Sequence, residues 1–267
     1  MTGAVTLDTL GSLARVTLSN PGKLNAMSRA MWTELRIVFE RLQASPSLRA
    51  VVVQGEGGNF CAGGDISEYA SFRFAEATLR EFHENEVWCG LKAMLDCDLP
   101  IVAQIDGNCL GAGLEIASCC DIRIASASAR FGAPIGRLGF PMAPREAALV
   151  MRAVGELTAR EMLLSAALLK ADDIKQRGFL NQVLAQADLP AAVDAVCARI
   201  GSLAPTANRL NKQSFRALSH TTNGPAATDS VANNLFANLL ANAFCYADSK
   251  EHREGVTAFL QKRAPQF

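Results

Sequence analysis

Gly107-Asn108-Cys109-Leu110-Gly111-Ala112-Gly113-Leu114-Glu115 follows the apolar run Ile101 to Ile105 and leads into a second apolar stretch that continues to about Cys120. A continuous apolar run is expected of a strand covered on both faces, and glycines at 107, 111 and 113 let the chain turn sharply into a helix. The same order occurs upstream. Ala50 to Val53 is apolar throughout and feeds the segment Gly55 to Gly64, where Phe60-Cys61-Ala62-Gly63-Gly64-Asp65 carries two adjacent glycines. Repeated strand-loop-helix units predict either a doubly wound sheet or a spiral of similar layers, and both place ligands at the loops after the strands.

Outward from these units, Ala4 to Leu7 and Ala14 to Leu18 read as strands, the second stopped by Asn20-Pro21-Gly22. From Ser28, an N-cap residue, Met31, Leu35, Val38, Phe39 and Leu42 recur with helical spacing until Ser45-Pro46. Beyond Ser202 the strand signals end. Thr206 to Leu218, Thr228 to Ala247 and Lys250 to Arg263 read as helices, and Leu235, Phe236, Leu239, Leu240, Phe244 and Phe259 on them need partners. The expected organisation is a core over residues 1–200 and a helical region over 201–267 that serves association.

Composition narrows the function classes. Of the 267 residues, 49% are hydrophobic, and 26 Lys and Arg balance 26 Asp and Glu, so no single-sign field steers the protein towards nucleic acid. No basic leader precedes an apolar run and no stretch is long and apolar enough to span a bilayer, which predicts a soluble cytoplasmic protein without a membrane partner. Cys61, Cys89, Cys97, Cys109, Cys119, Cys120, Cys197 and Cys245 show no Cys-x-x-Cys pair, and His83, His220 and His252 lie too far apart in sequence to suggest a metal site. The cysteines are read as reduced packing residues and no metal is expected.

Each glycine loop reads two ways. A loop such as Gly63-Gly64 is a tight turn or a set of backbone amides free to face a ligand. At Gly111-Ala112-Gly113 a helix begins, and its first amides, lacking intrahelical partners, suit a developing oxyanion. A dinucleotide loop fails here because Ile116 stands where a third small residue belongs, and no Gly-Lys-Ser/Thr phosphate loop occurs, which argues against a nucleotide-dependent oxidoreductase. Glu115 is the only carboxylate between Gly107 and Cys120. Desolvation there fits it for proton transfer, although an acid in a first helical turn also complements the helix dipole.

Taken together, Asn20 to Asn25 with Ala26, Phe60 to Asp65, Asp106 to Glu115 with Cys120-Asp121, Phe131-Gly132, and Arg253-Glu254-Gly255 followed by Phe259 and Lys262-Arg263 resemble, in order, the enoyl-CoA hydratase/isomerase (crotonase) superfamily. The resemblance implies an α/β fold, a crotonase-like spiral of repeated ββα units with a C-terminal α-helical oligomerisation region, assembled as a homotrimer or dimer of trimers. It implies an acyl-CoA thioester substrate, with coenzyme A as part of that substrate and no separate cofactor. Gly64 and Ala112 would supply the two amides of an oxyanion hole, and Glu115 would be the acid/base. Ala62 and Ile66 would line the adenine pocket, with Gly63 and Asp65 in the same binding loop. Lys23 and Leu24 would meet the pantetheine and phosphates, although Lys23 also fits a solvated loop lysine. Phe259 and Lys262 would reach a neighbouring subunit's coenzyme.

One departure stands out. Family hydratases carry a second glutamate after Phe131-Gly132-x-Pro, and here that position is Ile135. An isoleucine cannot relay a proton, so two-glutamate hydration is disfavoured, as are isomerisations that use that position. Arg137, two residues on, fits an anionic acyl group or a surface ion pair. Gly139-Phe140-Pro141-Met142-Ala143 lacks the Asp or Tyr used by some decarboxylating, dehalogenating or ring-forming relatives. The leading expectation is an enoyl-CoA hydratase-like lyase with a single glutamate acid/base. Its rivals are another reaction of the family (decarboxylation, thioester hydrolysis or isomerisation) and a non-catalytic acyl-CoA-binding subunit.

Overall fold

Alternation sets the first strands. Ala14, Val16 and Leu18 are buried along β2 (Leu13–Ser19), which pairs antiparallel with β1 (Ala4–Leu10) in the computed structural model; the structure describes residues 2–221, 237 and 240–267. In α1 (Arg29–Gln43) the residues Met31, Trp32, Leu35, Val38, Phe39 and Leu42 form one buried face, as their helical spacing requires. The Ser28 hydroxyl caps it by accepting from the Met31 N–H at 3.3 Å. The run in β3 (Ala50–Gly55) is covered on both faces. Val51 and Val53 join the main core, while Ala50 and Val52 join a second cluster with Val102 and Ile124.

After β3 the chain makes an excursion of short helices: a 3₁₀ turn Ile66–Ser71, α2 (Glu76–Glu81), a wide π turn Phe82–Val87 and α3 (Trp88–Asp96). It then alternates between two sheets. β4 (Ile101–Ile105) enters the large sheet and β5 (Asn108–Leu110) a small one; α4 (Ala112–Ser118) follows, then β6 (Ile122–Ser126) in the large sheet and β7 (Arg130–Gly132) in the small. A 3₁₀ turn Pro134–Leu138, α5 (Pro144–Val154) and α6 (Glu156–Leu164) lead to β8 (Leu168–Lys170), α7 (Ala171–Gln176), β9 (Gln182–Leu184) and α8 (Leu189–Gly201). The sheets have orders β1-β2-β3-β4-β6-β9 and β5-β7-β8, parallel except at β1 and β8. A chain that deposits successive strands in alternate sheets is a spiral and not a doubly wound sheet. α8 closes the second face of the large sheet with Leu189, Val193, Cys197 and Ile200.

α9 (Pro205–Thr221) returns to this core through cations. Lys212, almost fully buried, donates to the Leu99 carbonyl at 2.7 Å and pairs with Asp121 at 2.8 Å, and Arg216 pairs with Asp98 at 2.6 Å. The last helix, α10 (Lys250–Leu260), is three residues shorter than expected, and Arg263 instead turns back to pair with Glu254. Of the expected helix Thr228 to Ala247, residues 228–236, 238 and 239, with Leu235, Phe236 and Leu239, lie outside the described residues. Over 242–248 the chain forms turns in place of a helix, and Leu240, Phe244, Phe259 and Leu260 are exposed. Among the described residues no helix is long and apolar enough to cross a membrane.

The start of α4 lies so close to the upstream loop that a Cβ on Gly113 would stand 2.4 Å from the Cys61 carbonyl oxygen, whereas one on Gly201 would meet nothing within 4 Å. Gly113→Ala is therefore expected to cost about 1–3 kcal/mol, as overpacked cores do, while Gly201→Ala is expected to be neutral or mildly stabilising. Urea unfolding midpoints of the two variants make the comparison.

Candidate active site

Two loops meet edge to edge. Cys61 forms an isolated parallel bridge with Cys109: its N–H donates to the Asn108 carbonyl at 2.8 Å, and its carbonyl accepts from the Leu110 N–H at 2.9 Å. A second bridge pairs Met27 with Gly64, the Met27 N–H donating to the Gly63 carbonyl and the Met27 carbonyl accepting from the Asp65 N–H, both at 2.8 Å. Since Met27 engages the groups on either side of Gly64, the N–H of Gly64 itself faces the other way. Opposite, Gly111 takes a φ of 49°, open to glycine at little cost, and gives its N–H to the Gly132 carbonyl at 2.9 Å. The next N–H, that of Ala112, opens α4 and has no intrahelical acceptor. Among the described residues neither the Gly64 nor the Ala112 N–H is taken by another protein group, and both residues line one cavity.

Glu115 lies one turn further along α4, buried in the wall of that cavity. Burial, with the charge of Glu146 adding to it, pushes its carboxyl up to about 8. Glu146 is itself buried in the first turn of α5, and its Oε1 sits 3.2 Å from His83 Nδ1 in the π turn. His83 lines the cavity as well. The structure thus brings a second carboxylate and a histidine beside the acid that the sequence singled out. They were missed because 63 positions separate them and because an acid in a first helical turn has a sufficient reason in the helix dipole. A cavity-facing histidine backed by a buried carboxylate is an arrangement that orients an imidazole for proton transfer.

Other expected residues divide into three groups. Ala62, Gly63 and Ile66 line the cavity near Gly64, with the Ile66 side chain exposed, and Leu24 is exposed nearby, its carbonyl accepting from the Ala62 N–H at 3.0 Å. Lys23 and Asp65 are engaged with each other: Lys23 Nζ is 2.6 Å from Asp65 and 2.8 Å from the Ser67 hydroxyl, and Asp65 also caps the turn by accepting from the Ser67 N–H at 3.1 Å. Burial alone would raise the Asp65 carboxyl, but these hydrogen bonds outweigh it and hold it below the ordinary range. Ile135 lines the cavity from the 3₁₀ turn. Arg137 does not reach it; exposed, it approaches the Ala166 carbonyl at 3.4 Å. Phe259 and Lys262 stand at the far end of the chain, outside this cavity.

Cys61, beneath the loop, has its thiol pushed up to about 12 by burial and is no nucleophile. The Tyr69 hydroxyl stands over Gly64, where a Cβ would meet it at 2.3 Å, so a side chain at position 64 would have to displace the Tyr69 ring.

Comparison with known proteins agrees with this geometry. A sequence profile for enoyl-CoA hydratase/isomerase matches residues 8–267. A short-chain-enoyl-CoA hydratase of Clostridium acetobutylicum is 31% identical over 261 residues, covering 97% of this chain and 95% of the relative. A crotonyl-CoA hydratase of Syntrophomonas wolfei is 30% identical over 262 residues, 96% of this chain and 94% of that one. Among solved structures, an enoyl-CoA hydratase/carnithine racemase from Magnetospirillum magneticum superposes with a TM-score of 0.90 at 32% identity over 99% of this chain and 95% of its own.

The raised Glu115 carboxyl makes stability depend on pH with a definite sign. Between the ordinary carboxylate range and about 8 the folded protein keeps a proton that the unfolded chain has released, so stability declines as pH rises through that window. Asp65 and Asp98, held low, have completed their titration below it. Urea midpoints measured from about pH 5 to pH 7.5, below the range in which the buried cysteine thiols contribute, are expected to fall in the wild type and to flatten in Glu115→Gln. An undiminished slope in the variant would assign the effect to another group.

Proposed function

Because the chain belongs to the enoyl-CoA hydratase/isomerase family, we propose that it is an enoyl-CoA hydratase-like lyase adding water across the double bond of an acyl-CoA thioester. The observation that carries this reading is the pair of unclaimed amides, Gly64 and Ala112, facing one cavity beside a buried acid. The thioester oxygen accepts from both amides, and the charge that develops on it as the enolate forms is met by donors already in place.

Hydration then needs one group to take a proton from water and one to give a proton to the alpha carbon. Glu115, protonated at neutral pH, is the donor. The position at which family hydratases carry a second glutamate holds Ile135, which lends only an apolar wall. His83 takes the water proton in this reading, its Nδ1 held by Glu146 and its Nε2 left for the ligand. The water oxygen bonds to the beta carbon, the double-bond electrons move onto the thioester oxygen, and the enolate collapses as it takes the proton of Glu115. Transfer of the proton from His83 back to Glu115 resets the site. The half-buried Ala62 and the exposed, apolar Ile66 and Leu24 are proposed to receive the coenzyme's adenine and pantetheine, and Lys23, already paired with Asp65, to meet its phosphates with the charge left on its exposed side. Phe259 and Lys262 are proposed to serve the coenzyme of a neighbouring subunit in a trimer or dimer of trimers, for which the exposed Phe244, Phe259 and Leu260 supply apolar contact.

Loss of the ultraviolet absorbance of crotonyl-CoA provides the assay. Glu115→Gln and His83→Ala are each expected to lower kcat about a hundredfold or more. Ala112→Pro tests the amides directly, since proline is tolerated at the first position of a helix and removes only the N–H there. A folded Ala112→Pro protein, judged by circular dichroism, is expected to lose about a hundredfold in turnover. Undiminished turnover would remove Ala112 from the mechanism, and binding of CoA esters with no turnover of any would favour the binding-subunit alternative.

A further inference from the structure

Tyr69, Arg73 and Phe140 form a stack at the end of the cavity away from the Ala62–Ile66 side. The Arg73 guanidinium lies 3.6 Å from the centroid of the Phe140 ring and 4.5 Å from that of Tyr69, and the two rings meet edge to face at 6.0 Å. Arg73 is half-buried, and among the described residues no carboxylate pairs with it. Partial burial of a cation without a counter-charge is costly, and burial does lower its pKa, yet a guanidinium keeps its proton at any physiological pH. Aromatic rings packed on the faces of a guanidinium leave its rim of N–H donors open, and that rim matches the two oxygens of a carboxylate.

Position gives the rim a direction. Arg73, His83 and Phe140 line both the cavity of the candidate active site and a second one beside it, while Ala62, Gly63 and Ile66 line only the first. Arg73 therefore stands on the side of the acyl chain and not on that of the coenzyme. It is also near: one phenol ring, that of Tyr69, reaches with its hydroxyl to the side-chain position of Gly64 and packs its face on the guanidinium. The first cavity is apolar there, with Phe82, Leu138, Phe140 and Met142. Of the charged groups in the second cavity, Arg80 is already paired with Glu76 and Glu84, Glu146 sits beside His83, and Arg145 lies over the Trp88 ring.

We propose that Arg73 is the specificity residue for an acyl-CoA whose short acyl chain ends or branches in a carboxylate, a monothioester of a dicarboxylic acid. The inference rests on the acyl-CoA reading of the site and narrows it, moving the anion-recognising role that Arg137 suited in the sequence to a different arginine.

Glutaryl-CoA and pentanoyl-CoA, equal in chain length and lacking a double bond to react, serve as probes in calorimetric titrations of the full chain. The wild type is expected to bind glutaryl-CoA about tenfold or more tightly than pentanoyl-CoA, the scale of a charge-assisted bidentate contact. Arg73→Met is expected to abolish that preference while leaving pentanoyl-CoA affinity within about twofold, a split that a merely structural role for Arg73 would not produce. Arg73→Lys is expected to keep part of the preference, and Arg137→Met all of it. Equal binding of the two esters by the wild type, or a preference that survives Arg73→Met, would overturn this inference and leave the acyl-CoA reading standing. Failure of both esters to bind would overturn that reading and this inference with it.

Discussion

The structure depends on a backbone contact between two loops that follow neighbouring parallel strands. Cys61 and Cys109 bridge as if their strands continued past the sheet, and Gly113 lets the start of α4 settle against the Cys61 carbonyl. The amides and the acid of the site inherit their positions from this contact. It brings the amides of Gly64 and Ala112 to one cavity, and it fixes the first turn of α4 and hence the place of Glu115. It also explains why the surrounding polar residues bind backbone: Asn25 donates to the Glu56 and Asn59 carbonyls, and the Asn59 side chain accepts from both the N–H and the amide of Asn108. These asparagines tie loop to loop, so that the amides face the cavity without help from a ligand.

Around that frame the electrostatics are unusually concentrated. Glu115 and Glu146 share one desolvated region, and two carboxylates in such a place cannot both stay ionised without cost. Glu146 has His83 beside it, whereas among the described residues no side chain hydrogen-bonds Glu115, and burial together with the Glu146 charge raises the Glu115 carboxyl. The buried cysteines nearby, raised by the same desolvation, act as small apolar residues.

Much of this was legible in the sequence, and what was not has a physical reason. Periodicity found α1 and its buried face, the apolar run of β3 announced its two covered sides, and the glycine loops marked the amides, because each is a local pattern in which neighbours in sequence are neighbours in space. Glu115 was visible for the same reason, as one charge in an apolar stretch. The Glu146–His83 pair and the Arg73 stack were invisible. Their members come from segments far apart in sequence, and only the path of the chain brings them together. The choice between Arg73 and Arg137 turns on which side of a short turn faces inward, which spacing does not specify. At the C-terminus, helical composition continued past Asn242, yet the chain there forms turns before Ser249 caps α10 through the His252 N–H.

Apart from Trp32 of α1 and the Pro134, Leu138 and Phe140 side of its wall, this cavity draws on two kinds of segment. The amides and Glu115 belong to the loops that hold the two sheets together, whereas Tyr69, Arg73, Phe82, His83 and Val87 all come from the one excursion between β3 and β4. That excursion contributes no strand to either sheet. In the proposed reading the grip on the carbonyl lies on one length of polypeptide, and the acyl-chain contact Arg73 lies with the base His83 on another that no strand pairing holds. A lineage that keeps His83 can vary the rest of the excursion by drift or insertion without disturbing the amides, so new substrate preferences are open to this architecture without rebuilding its framework.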